Sequence, residues 1–240
     1  MEKLDRKISD KILYGFNNAK EWPDLMSVIK ELNSLLQKNN ECNFKLIKEK
    51  ITLARRLAQC LNSSLPAGLH ENALITYDII LDNILKHNNN HLGNDLALYS
   101  SGLFPFFQNA SPSNKQDYLL KIIKGKFLKM ESTELELCLT GLLVSILPGL
   151  EEQNELITKY IKEIFGALRE RLSDYVFYGC LWSIIIRNQK LKLMGMKYIN
   201  ETIPPYKVFE ECTKEQQDEH INKYFPQLNT MIINTVSTVV

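Results

Sequence analysis

The residues of this sequence that could do chemistry are few, and none of them forms a known catalytic arrangement. His87 and His91 are four positions apart, which would place two metal ligands on one face of a helix. They enclose three asparagines, however, and this run predicts a loop. Glu151 and Glu152 could act in acid–base catalysis, but they follow a Pro-Gly break at a predicted helix start, where acids interact favourably with the helix dipole. We interpret these glutamates as capping residues and His70 as a structural histidine.

Nucleotide, nucleophile and zinc motifs are also absent from the sequence. Neither G-x-G-x-x-G nor G-x-x-x-x-G-K occurs, and there is no G-x-S-x-G. The five cysteines contain no C-x-x-C pair, so we expect reduced thiols and no disulfide framework. Cys60, Cys138 and Cys180 lie in apolar runs and are interpreted as core residues. We therefore predict a chain without enzymatic activity, metal or cofactor.

The charge balance argues against a nucleic-acid partner. The 29 basic and 28 acidic residues give a net charge of +1, so no overall field attracts a polyanion. One basic cluster lies near a predicted turn between helices, and its side chains are Arg187, Lys190, Lys192 and Lys197. Because a cation near a membrane surface adds about 1 kcal/mol, this cluster is a candidate contact for anionic lipid. The apolar stretch 139–150 is shorter than the ~20 residues of a membrane span, so no span is predicted.

The elements that would position these residues are helices from end to end. Apolar residues recur every three to four positions, as in Leu4, Ile8, Ile12 and Phe16, which is the period of an amphipathic helix. Helices are predicted at 4–16, 22–36, 44–61, 66–85, 92–107, 112–130, 133–147, 151–171, 173–187 and 190–201. The residues predicted to lie on their inward, apolar faces include Ile51, Leu69, Tyr77, Ile84 and Leu156. Ser111 before Pro112 is the predicted N-cap of the sixth of these.

Two of the predicted helices indicate how the helices stack. Segments 133–147 and 173–187 are apolar nearly all round, so each must be covered on both sides. This pattern favours an all-α fold, an irregular α-solenoid of stacked helix pairs in the HEAT/armadillo class, with a closed helical bundle as the alternative. We expect a helical-repeat domain over residues 1–203, and we interpret 204–240 as a C-terminal extension with a truncated further helical element.

A series of short strings resembles the N-terminal domain of the Dopey family. They occur in the same order and at similar spacing over residues 22–199. The strings are WPDL at 22–25, RRLAQCL at 55–61, LPAGLH at 65–70, DLALYS at 95–100, GLFP at 102–105, LPGLEE at 147–152 and FYGCLW at 177–182. The chain departs from the family at Lys192-Leu193-Met194, where a proline is typical after an Arg-Leu pair, and the region after Pro205 matches nothing.

The resemblance implies a cytosolic adaptor or scaffold, peripherally recruited to the trans-Golgi network and endosome membranes. Its implied partners are a Sec7-related helical-repeat scaffold, a lipid flippase of the P-type ATPase class and kinesin light chain, and it implies no enzymatic activity. The candidate partner-binding residues match the family strings and are Arg55, Arg56, Gln59, Asp95, Tyr99, Glu151, Glu152, Tyr178 and Trp182. A structural alternative is that Arg56 forms a buried ion pair with Glu151 or Glu152.

Overall fold

The computed structural model describes residues 2–39, 48–86, 93–203 and 213–226, and every regular element in those ranges is helical. The chain divides into two compact units, Met1–Glu134 and Leu135–Val240. The predicted all-α fold is therefore confirmed for the described part of the chain. Stacking of the helices as a HEAT-like solenoid stays a prediction, and so does a domain boundary at residue 203.

The helices are labelled in chain order. The first unit contains α1 (Glu2–Lys7, Ile8–Leu13 in π form, Tyr14–Asn18), α2 (Trp22–Lys38), α3 (Lys50–Cys60), α4 (Ala67–Lys86), α5 (Gly93–Leu103, extended by the 3-10 turn Phe104–Asn109) and α6 (Pro112–Asp117, extended by the π turn Tyr118–Lys124). The segment that follows contains α7 (Ser132–Ile146, then the 3-10 turn Leu147–Glu151), α8 (Glu155–Leu172), α9 (Asp174–Arg187), α10 (Gln189–Thr202) and α11 (Lys214–Tyr224).

The first unit is built on two helix pairs, α2 with α4 and α3 with α5. Leu32 and Leu36 of α2 are fully buried, as the sequence period predicts. The buried Asn33 joins the α2–α4 pair, because its amide donates to the Asn72 carbonyl at 3.1 Å and its oxygen accepts from the Thr76 hydroxyl at 2.6 Å. A buried polar side chain with both functions satisfied fixes the register of two helices.

Lys126 fastens the turn after α6 to α4. Its ammonium lies 2.9 Å from Asp78 and 2.5 Å from Asp82, and the residue is only 8% exposed. Burial by itself would lower the pKa of Lys126, but the hydrogen bonds to Asp82 and Asp78 outweigh it and raise that pKa. Lys126 therefore remains protonated and positively charged in the folded state.

The second unit is organised around α9, which packs against α8, α10 and α11. Phe165 of α8 makes edge contacts with Phe177 of α9 and Tyr198 of α10, at ring-centroid distances of 5.6 and 5.0 Å. A Cβ at Gly195 of α10 would lie 2.6 Å from Ile185 of α9. The missing side chain at this position therefore allows the two helices to approach closely.

The start of α8 corrects one prediction. The helix begins at Glu155 and Asn154 is its N-cap, whose side-chain oxygen accepts from the Leu156 amide at 3.1 Å. The interpretation of Glu151 and Glu152 as capping residues was wrong, because Glu151 ends the preceding 3-10 turn. Leu156, predicted to face the core, is 42% exposed for the same reason.

Four further apolar residues, in three helices, are more exposed than the sequence pattern predicts. Ile51, predicted to face inward, is 60% exposed because it lies in the first turn of α3, at the edge of the buried stripe. Leu137 is 79% exposed, so α7 is buried on one face and not all round. In α9, Tyr175 is 58% exposed and Ile186 is 61% exposed.

The segment Ser132–Glu151, within the described residues, has the length and composition to cross a membrane, with a mean hydropathy of 1.5. The predicted apolar stretch 139–150 was too short because it left out the first turns of α7. Of this segment, 44% is buried inside the protein, and a core helix of a globular protein meets the same criterion. The predicted loop at 87–91 lies outside the described residues, as do Cys42 and Cys212.

Candidate functional site

An open groove of about 460 Å³ lies on the first unit, between α3 and the α5 helix with its 3-10 extension. Arg55, Ala58 and Gln59 line the α3 wall, and their spacing puts them on one face of the helix. The turn after α3 also contributes to the lining, and residues between Ser101 and Asn109 form the opposite wall. Segments that are far apart in the sequence, 55–63 and 101–109, thus meet in one surface feature.

Gly102 sets the separation of the two walls. A Cβ at this position would lie 2.6 Å from the Ala58 Cβ and 2.7 Å from the Tyr77 hydroxyl oxygen. Both distances are shorter than a van der Waals contact, so only glycine allows α5 to approach α3 this closely. Pro105 then stands in the first turn of the 3-10 segment, where its missing N–H leaves no donor unpaired.

A buried histidine fixes the turn at one end of the groove. His70 is 4% exposed, and its Nε2 lies 2.8 Å from the Asn62 carbonyl oxygen. Its ring also meets the Phe106 ring edge-on at 5.2 Å. The Asn62 side-chain oxygen accepts from the Ser64 amide and from the Ser64 hydroxyl, each at 2.9 Å. The interpretation of His70 as a structural histidine is confirmed by these contacts.

The two arginines of the RRLAQCL string have different surroundings. Arg55 is exposed and lines the groove, and no described residue pairs with its guanidinium. Arg56 is half-buried, and it donates to Gln59 at 2.9 Å and to the side-chain oxygen of Asn17. Among the described residues Arg56 therefore bonds to neutral oxygens, where the sequence suggested a glutamate.

Asp95 and Tyr99 are core residues and lie away from the surface. Asp95 is 6% exposed and accepts from the Lys50 ammonium at 2.6 Å, which joins α3 to α5. Tyr99 is 2% exposed and stacks edge-on against Tyr77. Burial raises the pKa of Tyr99, and the nearby Asp95 carboxylate raises it further. Burial also raises the pKa of the Cys60 thiol to about 12, so this thiol is protonated at neutral pH.

A comparison with known protein families identifies the family of this chain. The model for the family described as "Dopey, N-terminal" matches residues 1–240. The chain belongs to the Dopey family. It is 34% identical to "Protein DOP1B" of Xenopus laevis over 192 residues, which are 80% of this chain and 8% of that protein. It is 31% identical to "Protein pad-1" of Caenorhabditis elegans over 234 residues, 98% of this chain and 9% of that protein.

A third relative extends the comparison to insects. The chain is 31% identical to "Protein DOP1 homolog" of Drosophila melanogaster over 195 residues, 80% of this chain and 7% of that protein. The chain therefore spans about a tenth or less of the length of these curated relatives. No solved structure matches it.

Two further residues of the Dopey strings, Tyr178 and Trp182, hold α11 in place in the second unit. The Trp182 indole donates to the Tyr224 carbonyl at 2.8 Å, and the Tyr178 ring meets the Tyr224 ring at 5.1 Å. The Tyr178 hydroxyl donates to the Thr202 hydroxyl at 3.0 Å. These candidate partner-binding residues thus contact a segment of the chain itself.

An ion-pair cluster supports the same contact. The Asp174 carboxylate accepts from Arg169 at 2.5 Å and from Lys223 of α11 at 3.0 Å. Burial by itself would raise the pKa of Asp174, but the hydrogen bonds from these two cations lower it overall. Asp174 therefore stays ionised at neutral pH.

The predicted lipid-binding cluster lies at the surface of the second unit, where it adjoins apolar side chains. Its four cations are all exposed, and they are Arg187, Lys190, Lys192 and Lys197. Leu193 is 74% exposed, Met196 is 40% exposed and Ile186 is 61% exposed. In α10 the residues 193, 196, 197 and 200 follow helical spacing along the outer face. The sequence prediction found the charges and missed the apolar residues among them.

Glu151 and Glu152 take part in neither the groove nor the basic cluster. Glu151 is exposed, Glu152 is half-buried, and both lie between α7 and α8. The groove instead gains polar residues that the sequence analysis did not select, namely Asn62, Ser63 and Asn109. The RRLAQCL and GLFP strings each line one wall of the groove, but Asn62, Ser63 and Asn109 lie outside the strings, so the resemblance did not indicate them.

Proposed function

We propose that this chain is a non-enzymatic protein-interaction domain, an adaptor or scaffold of Golgi–endosome membrane traffic. The observation that supports it is the groove, where two of the Dopey strings meet and a third supplies the buried histidine at one end. Its described lining combines side-chain amides, hydroxyls, one guanidinium and apolar side chains. These groups recognise a polypeptide segment, since amides and hydroxyls pair with main-chain groups.

The size of the groove also suits a polypeptide. A recess of about 460 Å³ is comparable to the clefts that hold a drug-sized ligand, so it accommodates a few residues of a partner. The partners that we propose are the Sec7-related helical-repeat scaffold, the flippase of the P-type ATPase class and kinesin light chain. A cytosolic chain recruited to Golgi and endosome membranes would meet all three.

A capture experiment with a blocked groove tests this function. The purified chain is immobilised and each of the three partners is applied separately. Ser101 is exposed and lines the groove, so Ser101→Arg places a long side chain in it. Ser27 is a matched control, because it is also an exposed serine whose hydroxyl bonds to a carbonyl of its own helix.

We expect the wild type and Ser27→Arg to retain at least one partner and Ser101→Arg to lose it. Retention of none of the three partners by the wild type would contradict the proposed function. Equal retention by the two variants would show that the partner binds elsewhere on the chain.

A second candidate function is peripheral membrane binding through α10. The exposed Leu193 and Met196 lie among the lysines of the basic cluster, which is the pattern of helices that lie in the membrane interface. With about 1 kcal/mol for each cation, the four charges supply about 4 kcal/mol at an anionic surface. The exposed apolar side chains of Leu193 and Met196 favour this candidate. The four cations alone would not, because charged residues are also typical of a helix face that is simply solvated.

Flotation with vesicles distinguishes this second candidate. Vesicles of phosphatidylcholine with phosphatidylserine should bind the chain at low salt, and vesicles of phosphatidylcholine alone should not. Leu193→Ser should weaken binding without changing its salt dependence, whereas Lys192→Glu with Lys197→Glu should abolish it. Binding that survives both high salt and charge reversal would rule out this surface.

A further inference from the structure

We propose that the groove between α3 and α5 binds a short extended segment of a partner protein, and that an acidic side chain of this segment pairs with Arg55. The proposal rests on the proposed adaptor function and adds the chemistry of the partner. It is carried by the length of the groove, by its hydrogen-bonding groups and by the charge of its lining.

The length of the groove favours an extended peptide. Its α5 wall runs from Ser101 to Asn109, and at about 1.5–2.0 Å per residue this distance is roughly 12–16 Å. An extended chain advances about 3.3 Å per residue, so roughly four or five residues span the groove. A helix is about 10 Å wide, and a recess of about 460 Å³ admits only a few of its side chains.

The side-chain amides on one side of the groove present donors. The side-chain oxygen of Gln59 accepts from Arg56, and the side-chain oxygen of Asn62 accepts from Ser64. The amide NH₂ groups of Gln59 and Asn62 therefore remain as donors next to the guanidinium of Arg55. A ligand rich in acceptors, such as a carboxylate with its neighbouring carbonyl oxygens, satisfies all three.

The charge of the described lining points the same way. Arg55 is its one cation, and no carboxylate stands among the lining residues that the structure describes. The side chain is exposed, so binding an anion costs little desolvation, and it breaks no ion pair of Arg55 with a residue that the structure describes. An Arg–carboxylate pair with two parallel hydrogen bonds also fixes the orientation of the bound segment.

The apolar residues of the lining add a further requirement. Leu61 and Phe106 are buried residues of this lining, and Pro105 is an exposed one. Since side chains of an extended peptide alternate between two sides, a residue next to the acidic one can place its side chain against these apolar residues. The expected segment therefore carries one acidic and at least one apolar residue within about four positions.

The test uses two pools of hexapeptides with capped ends. Both pools contain leucine, valine, alanine and serine at the outer positions, and they differ only in a central residue, glutamate in one and glutamine in the other. Amide chemical shifts of the whole isotope-labelled chain are followed during titration. We expect the glutamate pool to shift Ser63, Ser101 and Asn109 and to bind at least tenfold more tightly than the glutamine pool.

Two variants connect the effect to the proposed residue. Arg55→Gln should reduce binding of the glutamate pool at least tenfold and leave binding of the glutamine pool unchanged. Arg171→Gln is the matched control, since it removes another exposed arginine, in α8 of the second unit, and should change neither. Because both positions are exposed, neither variant is expected to unfold the chain.

Three results would overturn the proposal. They are equal binding of the two pools, shifts confined to residues outside the groove, and full displacement of the glutamate pool by inorganic phosphate, which would indicate a site for small anions. The outcome is separable from that of the adaptor proposal. If Ser101→Arg abolishes capture of a partner and Arg55→Gln does not weaken it, the adaptor function stands and the acidic segment is refuted.

Discussion

Replacement of Gly102 by alanine is the sharpest perturbation that the groove offers. The new methyl group would lie 2.6 Å from the Ala58 Cβ, 2.7 Å from the Tyr77 hydroxyl and 3.1 Å from the Ala58 Cα. None of these atoms is the far end of a flexible side chain, because Ala58 is short and Tyr77 is fully buried. The helices α3 and α5 must therefore move apart to accept it.

Two opposing terms set the size of the effect. Alanine is a better helix former than glycine by about 1 kcal/mol in a helix interior, which stabilises the variant. Overpacking of a tight core costs typically 1–3 kcal/mol, and here two contacts are affected at once. We therefore expect Gly102→Ala to lower the free energy of unfolding by about 1–2 kcal/mol. Gly166 of α8 is the control, because a Cβ at this position would meet no neighbouring atom within 4 Å, and Gly166→Ala should stabilise the chain by about 0.5–1 kcal/mol.

A urea titration monitored by circular dichroism measures the net change in the free energy of unfolding. Amide hydrogen exchange then shows which helices are affected. Gly102→Ala should raise exchange in α3 and α5, while Gly166→Ala should lower exchange in α8. The same Gly102→Ala chain should bind the glutamate pool less tightly, since the groove walls separate. A stabilised Gly102→Ala chain with unchanged exchange in α3 would refute the argument from close packing.

Three other perturbations test the remaining interior contacts. Burial raises the pKa of Cys60 to about 12 from a usual value of 9.0, so on raising the pH the thiol ionises first in the unfolded chain. The contribution of Cys60 to the free energy of unfolding is therefore retained below pH 9 and falls above it by up to ~1.4 kcal/mol per pH unit. In urea titrations at a series of pH values, Cys60→Ala should show a smaller loss of stability per pH unit than the wild type. Trp182→Phe removes the donor to the Tyr224 carbonyl, so amide exchange should accelerate in α11 and remain slow in α8. Lys126→Met removes the cation from Asp78 and leaves Asp82 only its longer pair with Lys86 at 3.8 Å, so it should cost about 1–2 kcal/mol in denaturant unfolding. An unchanged midpoint would show that the ion pairs of Lys126 contribute nothing.

The apolar period predicted most of the helices, because it records which residues each helix buries. Leu69, Tyr77 and Ile84 of α4 were predicted to face inward and are buried. Ser111 was predicted as an N-cap, and its hydroxyl accepts from the Asn114 amide. Such features depend on residues within one or two turns, so local sequence contains the information.

The errors have a common cause. The period of apolar residues shows which side of a helix faces the core, but it does not show how much of that side a neighbouring helix covers. Leu137 and Ile186 belong to strongly apolar helices and are nevertheless exposed. Leu156 was misplaced because Asn154, and not a glutamate of the preceding string, caps α8. Whether an edge residue is buried depends on the position of the neighbouring helix, which the helix's own sequence does not encode.

The sequence by itself determined the helical class, many of the buried positions and membership of the Dopey family, because these follow from spacing and from strings that are local. Only the tertiary structure decided that Arg55 and Asn109 share a groove, and that Trp182 contacts α11 instead of solvent. These contacts join positions some forty or more residues apart, and they depend on how closely the helices approach. The close approach at Gly102, where a single methyl group would not fit, cannot be deduced from the order of residues along the chain.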